Sequence, residues 1–123
     1  MTSTAARPTE RQVMTTTSLT TLADEHLQNA REAASGRSAH TVFGGHDHVL
    51  RQTLIALLAG HELADHESPG EATLQVLSGA VRMVDDSQSH DMVSGDIMAI
   101  PGVRHRLEAV EDAVVLLTVV QRK

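Results

Sequence analysis

"GHELADHESPGEATLQVLSG", residues 60–79, decides the fold of this chain. Turn-forming residues stand at its start (Gly60), its middle (Pro69-Gly70) and its end (Ser78-Gly79). Between them lie "HELADHE" and "ATLQVLS", each of strand length. Alternate side chains of a strand point to opposite faces, so each segment has one face for a core and one for solvent.

The same punctuation runs outward in both directions. "HTVF", "HVLRQTLIALLA", "AVRMVD", "SHDMV", "DIMAI", "HRLEAV" and "AVVLLTVV" are further short segments. Gly44-Gly45, Asp85-Asp86, Ser94-Gly95, Pro101-Gly102 and Glu111-Asp112 separate them. "VLRQTLIALLA" is long enough for a helix, but Thr53, Ile55 and the flanking glycine turns favour a strand. Many short strands at this spacing predict an all-β sandwich or barrel over residues 40–121.

Upstream the pattern is helical. In "SLTTLADEHLQNAREAASG", residues 18–36, Leu19, Leu22, His26 and Ala30 share one face, with Ala23 and Leu27 beside them. Thr21 and Asp24 offer a capping pair, and Gly36 a stop. Residues 1–17, Thr/Ser/Ala-rich and without apolar period, read as a flexible tail. They hold no apolar core for secretion and few arginines for an organelle.

Composition narrows the function. The 123 residues suffice for one domain with one core. The net charge of −6 and the absence of any basic run exclude nucleic acid as the main partner. No cysteine is present, so there is no disulfide and no thiolate metal site. No stretch reaches the ~20 apolar residues of a membrane helix, and the chain is read as cytoplasmic. Phe43 is the one aromatic among Phe, Trp and Tyr. The core is therefore aliphatic, and stacking on bases or sugars is hard to arrange. Met83, Met92 and Met98 read as core filler.

At this point the residues resemble a family. Gly60, five residues, His66 and the closing Gly79 fit the first motif of the cupins, whose ligands are a His-x-His pair and a Glu. "GDIMAIPGVRHRLEA", residues 95–109, is similar to the second motif, with Gly95, Pro101, Gly102 and the ligand His105 in order. It is one residue short between Pro101 and His105, and Ala109 stands where the family has Asn. The resemblance is to small single-domain bacterial cupins, of the actinobacterial type, and covers residues 40–120. It implies a jelly-roll β-barrel (a double-stranded β-helix, RmlC-like) with one N-terminal helix. It also implies a homodimer through an outer sheet face, here that of residues 49–59 or the apolar last strand.

Carried over residue by residue, the family's metal site is degenerate. His66 and His105 stand at ligand positions, but Ser68 replaces the second His and Ala72 the Glu. A hydroxyl is a poor ligand for Fe, Mn, Ni, Cu or Zn, and a methyl is none. Catalytic sites of this kind use about three protein ligands or more. Help could come from Glu71, turned inward by a bulge after Pro69-Gly70, or from the His46-x-His48 pair. His26, His40, His61 and His90 read as surface or rim residues.

The expected inward set is Ala64, His66, Ser68, Ala72, Leu74 and His105, with Met98 nearby. Without a metal these residues form a pocket for a small polar or anionic molecule. Three readings stay open: a metal-independent small-molecule binder, a metal-dependent dioxygenase or isomerase with a rebuilt site, and a structural partner with a filled barrel. Fold resemblance alone does not choose among them.

Overall fold

The computed structural model describes residues 14–66, 70–100 and 102–121, with Asp65 and His66 described by their backbone alone. One helix precedes nine strands. These are α1 (Leu19–Glu32), β1 (Arg37–Phe43), β2 (Leu50–Leu57), β3 (Glu62–His66), β4 (Glu71–Ser78), β5 (Ala80–Asp85), β6 (Ser89–Val93), β7 (Ile97–Ala99), β8 (His105–Ala109) and β9 (Ala113–Val120). They form two antiparallel sheets, ordered β1-β2-β9-β4-β7 and β3-β8-β5-β6.

Every paired strand runs antiparallel to its neighbour, so each connection lies at one of two ends. Leu50 pairs with Val120 and Val120 with Glu71, while Asp85 pairs with His105 and His105 with His66. The β1–β2, β3–β4, β5–β6 and β7–β8 connections therefore share one end, the mouth. The turns around Gly60, Gly79, Gly95 and Asp112 share the other.

Between the sheets lies an aliphatic core. Leu74 and Val76 of β4, Val81 and Met83 of β5, Met92 of β6, Leu107 of β8 and Val115 of β9 are all buried in it. A second core lies outside the five-stranded sheet. There Ala23 and Ala30 of α1 pack on Leu54 and Ala56 of β2 and on Val114 and Leu116 of β9. Alternation explains both: Leu54 and Ala56 face the helix, while Ile55 packs against the inner core. β9 is buried on both faces, which is why "AVVLLTVV" shows no polar alternation.

Three expectations are corrected here. The helix is capped by Ser18, whose Oγ accepts the Thr21 N–H at 3.1 Å, because the first helical residue is Leu19. It ends at Glu32, before Gly36. Gly36 serves a later turn (φ +69°), where any Cβ would lie 2.6 Å from the His61 ring. The outer face of 49–59, expected to be a dimer surface, is covered by the chain's own helix.

Candidate functional site

The second-motif histidine is the best-placed group in the barrel. β8 alternates strictly: His105, Leu107 and Ala109 are buried, and Arg106 and Glu108 are not. His105 is 2% exposed, the one buried polar or charged side chain among the described residues. Its Nδ1 donates to the Val103 carbonyl at 2.8 Å. A carbonyl only accepts, so Nδ1 carries the hydrogen of this bond. The sharp turn from Val103 into β8 thus fixes the imidazole.

Across the ladder His105 has two neighbours at the mouth. On one side the backbone of His66 stands opposite it, after a register shift between Leu63 and His66. On the other stands Asp85 of β5. That shift corrects one expectation. Counting back from His66 put Ala64 inside, but the extra residue resets the alternation. Leu63 packs against the inner core, and Ala64 is exposed on the outer face beside Glu62, Arg104, Arg106 and Glu108.

Of the other expected residues, Leu74 is buried and lines the same cavity as His105. Ala72 lies on that face of β4, two residues before Leu74, and pairs with Val119 of β9. Met98 pairs with Leu74 and packs against the core. Ser68 lies outside the described residues.

The rebuilt metal site fares differently. β4 keeps unbroken register with β9 from Glu71 to Val76, so no bulge turns Glu71 inward. Glu71 is exposed and alternates away from Leu74. His46 and His48 are exposed on the β1–β2 turn. His46 pairs with Asp47 at 3.2 Å, and the His48 ring sits 5.0 Å from that of Phe43. No group of three His, Asp or Glu able to hold an ion gathers among the described residues. Ala72 offers no donor atom where the family's carboxylate would stand, so the residues present do not fit the family's metal.

Two cavities adjoin. The inner one, lined by Ile55, Leu63, Leu74, Met83, His105 and Leu117 among others, measures about 20 Å³. That is room for about one water. The second, of about 190 Å³, lies between the mouth ends of β5, β6 and β7. Met83, Asp85, Gln88, His90, Met98 and Ala99 line it. Met83 belongs to both.

Asp85 was missed in the sequence, where it reads only as a turn signal. Its signal is alternation: Val81 and Met83 are buried in the core, and Asp85 ends the same row. Its Oδ1 accepts from the Ser87 N–H at 2.8 Å, the Ser87 hydroxyl at 3.0 Å and the Gln88 N–H at 3.0 Å. These hydrogen bonds, led by the Ser87 backbone N–H, hold the carboxyl below its ordinary range. Its negative charge is thereby favoured at neutral pH.

Two sheets closed into a small antiparallel barrel, with one motif histidine buried at the mouth, define a jelly-roll protein of the cupin class. Comparison agrees: an RmlC-like cupin from Desulfovibrio desulfuricans is 25% identical over 68% of this chain and 81% of its own, with a TM-score of 0.61. The fold is that of the cupin superfamily. A conserved protein of unknown function from Streptococcus pyogenes is 29% identical over 74% of this chain and 79% of its own, with a TM-score of 0.65. A salicylate 1,2-dioxygenase from Pseudaminobacter salicylatoxidans aligns with 80% of this chain but 33% of its own, at 22% identity and a TM-score of 0.68, and shows the fold alone. No protein-family model and no curated protein matches the sequence. No helix among the described residues is long and apolar enough to cross a membrane.

Proposed function

We propose that this cupin binds a small molecule at the mouth of its barrel and does so without a resident metal. The observation that carries the reading is the 190 Å³ cavity whose wall, Met83, also lines the cavity of His105. Apolar walls with a few convergent polar groups are what small-molecule sites require. The cavity is smaller than the ~300 Å³ at the low end of drug-sized sites, so the ligand is small. His66, Ser68, Ala72, Leu74, Met98 and His105 are the proposed pocket, with Asp85 and Met83 added from the geometry. The dioxygenase or isomerase reading needs donors that Ala72 and Glu71 do not supply.

We place a homodimer contact on the strip of the five-stranded sheet that α1 leaves open, where Ile97 is 64% exposed. Equilibrium sedimentation of Ile97→Asp beside the natural chain tests it. We assign the protein to the cytoplasm on the same footing, and fractionation tests that.

The site is tested by a thermal-shift screen of small metabolite-like compounds on the full chain in the presence of a chelator. Hits are repeated on His105→Ala and Met98→Ala. Stabilisation that survives chelation and weakens in both variants supports the reading. Hits that vanish on chelation and return with one metal overturn it.

A further inference from the structure

The mouth cavity has a chemical bias of its own. Three of its lining residues, Met83, Met98 and Ala99, are apolar, and Asp85 is its one carboxylate among the described residues. All three donors of the β5–β6 turn fall on Asp85 Oδ1, so none of these hydrogen bonds uses Oδ2. Gln88 and His90 complete the polar side. Among the described residues, no lysine or arginine lines the cavity beside Asp85.

We infer that the mouth cavity takes a small organic cation, its ammonium group on Asp85 Oδ2 and its apolar body between Met83 and Met98. This rests on the reading of the mouth as a small-molecule site, and it reverses the anionic preference that two histidines alone suggest. A carboxylate in a partly enclosed apolar cleft gains from an ammonium partner, because hydrogen bonds between charged groups are about twice as strong as neutral ones. Size sets the upper limit: 190 Å³ is about six water volumes. A short alkylammonium or a single-ring benzylammonium is of that order. Methionine walls suit such guests, since the unbranched thioether side chain adapts its shape to the group packed on it.

The test uses isosteric probes on the full chain carrying ¹³C-methyl methionine. Butylammonium is compared with butanol and butyrate, and benzylammonium with benzyl alcohol and benzoate. The Met83 and Met98 methyl signals, assigned with Met83→Leu and Met98→Leu, report the cavity. Met92 is buried and outside the cavity lining, so it serves as the internal control. The expected result is that the ammonium probes move the Met83 and Met98 signals and leave Met92 still. Their alcohol and carboxylate counterparts bind at least about tenfold more weakly.

Asp85→Asn is the matched variant. Its amide oxygen still accepts the turn N–H groups, so the turn is kept while the charge is lost. It is expected to weaken the ammonium probes about tenfold or more. Equal binding of alcohol and ammonium, or undiminished ammonium binding by Asp85→Asn, overturns the inference and leaves the small-molecule reading standing. Absence of response to every probe while neutral or anionic screening hits move the two methyls also overturns it. A screen without any hit removes the reading on which it rests. The comparison of probes on the natural chain holds even where a variant fails to fold.

Discussion

Asp85 and His105 are direct partners across the β5–β8 ladder, one at the last position of its strand and the other at the first. The pair joins the buried imidazole of the barrel to the carboxylate of the mouth cavity. Nothing in a count of cupin ligands points to it, since Asp85 lies outside both motifs. It places a carboxylate at the mouth of this barrel, on the four-stranded sheet and across the barrel from the strand that carries Ala72.

The pH dependence of stability follows from two carboxylates of the second sheet. Asp85 is held below its ordinary value by the Ser87 N–H, and Asp91 below its own by the Arg82 guanidinium, whose Nε donates at 2.7 Å. A carboxyl lowered in the folded state contributes stability above its unfolded value and loses it as pH falls through the folded one. Stability is therefore expected to decline as pH drops below 3.8, the ordinary aspartate value. Asp85→Asn and Asp91→Asn should each flatten that decline. Urea midpoints collected across the acid range measure it, and an unchanged slope in both variants refutes the assignment.

Backbone crowding predicts an order among glycine variants. At Gly79, φ is +82°, and an added Cβ would fall on the Asp112 carbonyl oxygen and lie 2.8 Å from Ala113 Cα. Backbone there cannot give way. At Gly36 the obstacle is the His61 ring, a side chain that can rotate aside. Gly36→Ala is expected to cost about 1–2 kcal/mol, the price of a left-handed Ala. Gly79→Ala should cost more, about 3 kcal/mol or above, because a clash is added to strain. Denaturant unfolding gives both values.

The helix is part of the folded unit, so its contacts should appear in global stability. Leu54 is fully buried beneath α1. Leu54→Ala is expected to cost about 3 kcal/mol. Ser18→Ala removes the N-cap hydrogen bond and should cost about 1 kcal/mol. Amide exchange along α1 distinguishes the two: Ser18→Ala frays the first turn, whereas Leu54→Ala loosens the whole helix.

The barrel was legible because each strand is bounded by turn residues. "AVRMVD", "SHDMV" and "AVVLLTVV" coincide with β5, β6 and β9 residue for residue. His105 could be placed inside from its motif and from the alternation of β8. Ala64 could not be placed, because a bulge leaves no mark in a sequence read by parity. Asp85 was hidden for a related reason. At a strand end one residue can both close an inward row and start a turn, and the Asp85-Asp86 pair shows only the second role. The covered outer face of β2 was a matter of partner: its apolar residues demanded a cover, and the sequence left open whether the helix packs on its own barrel or on a second subunit; α1 covers its own barrel.

The account's central claim is that this pocket works without the family's metal. Elemental mass spectrometry tests it on untagged protein incubated with Fe(II), Mn, Ni, Cu and Zn and then desalted. His105→Ala is the negative control. Ser68→His/Ala72→Glu, which restores the family's donors, is the positive one. The natural chain is expected to retain far less than one metal ion, and the restored chain about one. About one metal ion in the natural chain, lost in His105→Ala, would contradict the account and put metal chemistry back at the mouth of the barrel.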